Sequence, residues 1–252
     1  MTDAAKKPRP SRSKAAKAAR VESQARGPLW RRVLRWAGRG ILGLAACYLV
    51  LIVLFAFVNP PTNLYMWSES RRLGGVDQIS VDFADIAPVM ARSVVAAEDA
   101  NYCNHWGFDM AAIRAAAADG GNRGASTLTQ QVVKNVFLWQ RRSWLRKAME
   151  AVMTPVVELV WSKQRILEVY LNIAEFDEGV FGVQAAAQHY FGVNAGDLSP
   201  TQAARLAAVL PDPKDWSAGK PSSYVRKRAR QIAGGADTIA ADGRASCFEP
   251  SK

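Results

Sequence analysis

Nineteen consecutive residues without a charge, GILGLAACYLVLIVLFAFV from Gly40 to Val58, constrain this chain more than any other feature. As a helix with a rise of about 1.5 Å per residue, the run spans roughly 28 Å, close to the hydrocarbon thickness of a bilayer. A signal peptide has a shorter apolar core followed by a small-residue cleavage site, whereas this run ends in FVNPPTN. Arg31, Arg32, Arg35 and Arg39 flank its N-terminal side, which the positive-inside rule assigns to the cytoplasm. The expectation is one transmembrane helix over 40–58, with everything after Asn59 beyond the cytoplasmic membrane.

The formal net charge of +11 suggests a nucleic-acid binder until it is located. Residues 1–39 hold twelve Lys or Arg against Asp3 and Glu22, so +10 of that charge sits in the tail. A stretch so rich in Ala, Lys, Arg and Pro is expected to be disordered. Its simplest partner is an anionic lipid headgroup, and no nucleic acid is expected. Of three cysteines, Cys47 lies in the apolar run, while Cys103 and Cys247 lie beyond it and are free to pair or not. With His105 and His189 the only histidines and no paired Cys or His spacing, no metal site is expected.

Beyond the apolar run, residues 59–78 (NPPTNLYMWSESRRLGG and the few after it) read as a linker. From 79 to 233 the periodicity is helical nearly throughout, with no convincing strand alternation, which predicts one all-α domain. Ser126 is placed as the N-cap of a helix through STLTQQVVKNVFL. Pro155 is expected to kink the long helix WLRKAMEAVMTPVVELVW. Ser199, Pro200 and Gln202 form a capping box with proline at the first helical position. Residues 234–252 read as a flexible C-terminal tail.

Three stretches carry chemistry. In SVVAAEDANYCNHWGFD, Glu98 and Asp99 end an apolar helix, against the negative end of its dipole. Partly buried carboxylates in such a setting favour the protonated form, which suits a general base. A solvated helix end beside an aromatic loop fits the same residues. In GGNRGASTLTQQVVKN, a glycine-rich loop enters a helix on which Thr127, Gln131 and Lys134 share a face. That face can hydrogen-bond a sugar and neutralise a phosphate, or be an ordinary solvated one. In RRSWLRKAMEAVM, Arg142, Arg146 and Glu150 recur every four residues. They form either a surface ladder or a set of guanidinia for a phosphate, with Glu150 orienting a cation or a hydroxyl. Glu158 and His189 read as structural.

Taken together these segments resemble the peptidoglycan glycosyltransferases, most of all the monofunctional, membrane-anchored biosynthetic members. EDANYCNHWGFD, GASTLTQQVVKN, RKAME, KQRILEVYLNIAEFDEGVFGVQAAA and LSPTQAARLAAVLPDP match the family's five motifs in order. The resemblance implies a lysozyme-like helical domain over 79–233, carried on the single N-terminal transmembrane helix in the inner membrane and facing the periplasm. It implies polymerisation of lipid II into β-1,4-linked glycan, with undecaprenyl pyrophosphate released. Carried over by motif, Glu98 is the base that deprotonates the acceptor's 4-hydroxyl, and Glu150 is the second essential carboxylate. Lys134, Arg142 and Arg146 stabilise the pyrophosphate, and Ser126, Gln130 and Gln131 contact substrate. No cofactor is required, although a divalent cation (Mg or Mn) could assist the pyrophosphate. The implied partners are lipid II, the growing glycan, the membrane and other cell wall synthesis or division proteins. Tyr102 stands where the family usually has Phe, and Gln202 where it usually has Glu.

Two further readings compete. A glycan-cleaving lysozyme-like enzyme would share the fold but would not need the three cations. A non-catalytic wall-synthesis scaffold is opposed by the joint presence of Glu98, Lys134 and Glu150. A bifunctional enzyme with a transpeptidase domain fails, since Lys-Thr-Gly is absent and too little chain follows.

Overall fold

The computed structural model describes residues 16–17, 29–120 and 124–249. The expected disordered tail therefore falls largely outside the described residues, as does part of the glycine-rich loop. Helix accounts for 65% of the structure and strand for 3%, so the all-α, lysozyme-like expectation holds.

Helix α1 runs from Leu29 to Phe55, with a mean hydropathy of 2.1 over its most apolar window, long and apolar enough to cross a membrane. It starts eleven residues before the uncharged run does, so Arg31, Arg32, Arg35 and Arg39 lie in its own first turns. Leu, Arg, Trp and Ala all tolerate a helix, so nothing in LWRRVLRWAGR stops one there.

The chain divides into a unit ending at Leu51 and a second, Ile52–Lys252. Within the second unit, the expected linker contains a helix, α2 (Leu64–Leu73). Asn63 caps it by accepting from the Met66 N–H, and Gly74 ends it at φ 81°. Met66 and Glu69 are buried, and Glu69 receives both Arg72 and Lys214. A small sheet follows, missed because strands of two or three residues are too short to alternate: β1 (Asp77–Gln78) is parallel to β3 (Val180–Phe181), which is antiparallel to β2 (Glu175–Asp177).

The remaining helices are α3 (Pro88–Glu98), α4 (Met110–Ala118), α5 (Leu128–Phe137), α6 (Trp144–Val160), α7 (Lys163–Ile173), α8 (Val183–Phe191), α9 (Pro200–Val209) and α10 (Ser223–Ala241). They pack as two groups. Helices α3, α9 and α10 contact one another, and α5 contacts α6 and α7. Val94 and Val95 of α3, Leu128, Val132 and Val133 of α5, and Leu206 and Val209 of α9 are fully buried. Each such side chain contributes about 1.5–3 kcal/mol.

The C-terminal segment departs from the expected flexible tail. Helix α10 continues to Ala241, and Ala236, Ile239, Ala245 and Phe248 are buried. Cys247 is disulfide-bonded to Cys103, and Glu249 pairs with Arg92 at 2.9 Å. Four apolar contacts, a covalent bond and an ion pair hold a stretch whose composition alone looks frayed.

Candidate active site

The site lies where the end of α3 meets the beginning of α5. Asp99, one residue past α3, is buried. Its Oδ2 accepts the Leu128 N–H at 3.0 Å, and its Oδ1 lies 2.8 Å from His105 Nε2. This carboxylate thus caps α5 at its positive dipole end. Glu98 turns the other way. Its Oε2 accepts from Gln131 Nε2 at 3.0 Å, and its Oε1 is 3.7 Å from Arg228 Nη2 on α10. The carboxylate therefore bridges the two helix groups.

The N-cap of α5 is Thr127, not Ser126. Thr127 Oγ1 donates to the Gly107 carbonyl at 2.7 Å and accepts from the Gln130 N–H, while Gln130 Oε1 takes the Thr127 N–H. Thr127 and Gln130 are both buried in this capping box. Gln130 thus serves the helix end, and a role in contacting substrate is not what its position offers. Ser126, displaced one residue outward, is exposed and lines a cavity of about 190 Å³ beside Glu98, Asn101 and Asp109. Asp109 caps α4 through the Ala111 and Ala112 N–H groups, and these bonds, with that from Asn101, hold its carboxyl below the ordinary range.

Gln131 is committed at both ends, donating to Glu98 and accepting from Tyr170 Oη at 3.3 Å. It fixes the direction of Glu98. Burial, reinforced by the Glu98 charge, pushes the Tyr170 hydroxyl well up, so it remains a donor. Gln131 and Lys134 line a second cavity of about 370 Å³, with Tyr65, Tyr170 and the loop Leu210–Asp215.

A second carboxylate lies on α6. Glu150 is 2% exposed, accepting from Arg146 Nη1 at 2.7 Å through one oxygen and from Lys147 through the other. Arg146, also buried, spends its Nε on the Arg141 carbonyl at 3.2 Å. Arg142 is not part of this set. Ser143 caps α6 by accepting from the Arg146 N–H, so the helix begins at Trp144 and four-residue spacing does not extend back to Arg142, which is exposed. The helix runs on through Pro155 to Val160. Glu158 is structural, as expected, held by Thr129 at 2.5 Å and Lys163 at 2.8 Å.

Lys134 is within electrostatic reach of both carboxylates. Burial lowers its pKa most, the nearby Arg146 and Lys147 act in the same direction, and Glu150 and Glu98 oppose them. The structure thus brings Glu98, Gln131, Lys134, Arg146 and Glu150 into one electrostatic neighbourhood. Lys147, Arg228 and Tyr170 join it unforeseen. The spacing of Lys147 to Glu150 was a legible signal. Arg228 gave none, since its contact with Glu98 joins positions about half the chain apart.

A divalent cation does not fit Glu150 as it is placed. Both of its oxygens are engaged by cationic side chains, and no group of three or more His, Cys, Asp or Glu converges among the described residues.

Known proteins resemble the chain over most of its length. A family profile described as transglycosylase matches residues 68–236. The chain is similar to a biosynthetic peptidoglycan transglycosylase of Jannaschia sp. (strain CCS1), 62% identical over 85% of this chain and 90% of the relative. It is similar to one from Pseudomonas putida (strain F1), 50% identical over 79% and 89%. A third, from Xanthomonas oryzae pv. oryzae, is 46% identical over 84% and 94%.

Proposed function

The chain belongs to the transglycosylase family, polymerases of peptidoglycan glycan strands for the cell wall, and from that premise we propose how its own residues perform the transfer. The substrate is lipid II, and a growing glycan is the other reactant. Glu98 takes the proton of the acceptor's 4-hydroxyl as that oxygen bonds to the donor's anomeric carbon. The bond from that carbon to the pyrophosphate breaks with inversion, leaving a β-1,4 linkage and undecaprenyl pyrophosphate. The hydrogen bond from Gln131 and the Arg228 guanidinium hold the carboxylate in place, so little reorganisation accompanies proton transfer.

Lys134 and Arg146 meet the charge that develops on the leaving pyrophosphate. Lys147 is added to them because it shares Glu150 with Arg146. Glu150 orients both cations while partly neutralising them, so that an anionic substrate still finds net positive charge. Arg142, outside α6, contributes at most long-range attraction. No step is routed through a metal ion.

The membrane reading follows from α1, with its arginine-bearing first turns on the cytoplasmic side and the catalytic domain in the periplasm. The Cys103–Cys247 bond supports an oxidising compartment. Other wall-synthesis or division proteins are proposed partners.

The observation that carries the catalytic reading is the Glu98 carboxylate that lines one cavity and is oriented by Gln131, which with Lys134 lines another, together with the buried Arg146–Glu150 pair. Polymerisation of labelled lipid II by the full-length protein in detergent tests it. Glu98→Gln is expected to lower the rate by about a hundredfold or more while leaving thermal unfolding unchanged. A Glu98→Gln protein that still makes long glycan at the native rate would remove Glu98 from the chemistry.

A further inference from the structure

A third cavity, of about 220 Å³, opens between α9 and α10 and has no part in the site above. Thr201, Ala204, Ala229 and Ala233 line it together with the side chains of Arg205, Arg226 and Arg230. Arg226 and Arg230 are one helical turn apart on α10. Each is two residues, or roughly 200° of rotation, from Arg228. The helix thus shows Arg228 to Glu98 and the other pair to the opposite side.

These three arginines differ from most of the domain's others. Arg72 pairs with Glu69 and Glu178, Arg92 with Glu249, Arg146 with Glu150, Arg165 with Glu168, and Arg244 with Asp242. No acid lines the cleft. Arg226 spends one N–H on the Pro221 carbonyl at 2.6 Å, and Arg205 and Arg230 have no hydrogen-bond or ion-pair partner among the described residues. Like charges one turn apart on a helix repel. Three arginines around one small recess are an arrangement that an anion would relieve.

We propose that this cleft is a second anion site, separate from the reaction centre, that holds a compact oxyanion of the phosphoryl class. A single carboxylate offers one charge and two oxygens, too little for three planar forks. A phosphoryl dianion offers two charges and three or more oxygens, enough for paired N–H contacts from two guanidinia and a third from the side. At about 220 Å³ the cleft has room for a phosphoryl group. The phosphoryl group is either that of a soluble ion or that of a lipid headgroup.

The test is calorimetric titration of the full-length protein in detergent with inorganic pyrophosphate. The native chain is expected to show two binding events. Lys134→Gln weakens one, and Arg205→Gln/Arg230→Gln weakens the other by about tenfold or more. The double variant is expected to unfold at the same temperature as the native protein or above it, because repulsion has been removed. Arg205→Lys/Arg230→Lys, which keeps the charge but loses the forks, is expected to bind more weakly than native as well. Displacement of pyrophosphate by dihexanoyl phosphatidate, but not by dihexanoyl phosphatidylcholine, upholds the site with a headgroup as its source. Failure of both lipids to displace it upholds the site with a soluble ion as its source. One binding event that is abolished by Lys134→Gln and untouched by either arginine pair would overturn the proposal.

Discussion

Glu98 and Asp99 are chemically alike and adjacent, yet where the helix ends sends their side chains to different tasks. Glu98 is the last residue of α3 and reaches Gln131, whereas Asp99 is already outside and reaches back to the Leu128 N–H and His105. Asp99→Ala removes a buried acceptor from both partners and is expected to cost about 2–3 kcal/mol, read by denaturant unfolding, with Asp99→Asn costing less. Lys134 carries the pH prediction. Its folded-state pKa is lowered by burial, so it loses its charge at a pH below that of an ordinary lysine. The alkaline limb of the polymerisation rate should therefore fall below pH 10.5, and Lys134→Arg should move that limb upward. In the same window the unfolded chain binds more protons than the folded one, so this group makes stability rise with pH there. Lys147→Ala is expected to lower turnover without unfolding the domain, because Glu150 keeps Arg146.

At the scale of elements, caps decided which residues share a face. One residue of difference, Thr127 for Ser126, turned Gln130 inward to close a capping box and left Ser126 at a cavity. Ser143 did the same at α6 and excluded Arg142. Ser126 and Thr127 are polar neighbours in sequence, and propensity does not separate Ser from Thr strongly. The junction of α4, α5 and α6 depends on Gly107, whose φ is 79° and where a Cβ would lie 2.5 Å from Thr154 Cγ2. Gly107→Ala is expected to cost about 1–3 kcal/mol from backbone strain alone, with the clash in addition. A lowered unfolding midpoint and loss of activity would be measured together, since Gly107 also holds the cap of α5.

For the whole molecule, the disulfide matters most because of the separation it bridges. Cys103 and Cys247 are 144 residues apart, and closing so long a loop stabilises by about 5 kcal/mol in the chain-entropy view. It ties the loop after Glu98 to the segment after α10, the helix that presents Arg228 to Glu98. Cys103→Ser/Cys247→Ser is expected to lower the unfolding temperature and, at temperatures where it remains folded, to reduce polymerisation less than Glu98→Gln does. Equal loss of activity in both would place the disulfide in the catalytic geometry rather than in stability.

The apolar length of α1, the helical periodicity, the capping box at Ser199 and the order of the five motifs were all legible in the sequence. Each helix, cap and single motif is a local pattern, written within a few tens of consecutive residues, and the backbone reads such patterns directly. The same holds for Glu98, Lys134, Arg146 and Glu150 as chemically apt groups. Tertiary structure alone decided that Gln131 orients Glu98 across 33 residues, that Arg228 arrives from α10, that the C-terminal segment is packed and that three arginines line one cleft that no acid lines. Those contacts join positions whose separation along the chain carries no spacing rule. They exist because two helix groups bury their apolar faces and thereby bring together polar groups that no local pattern pairs.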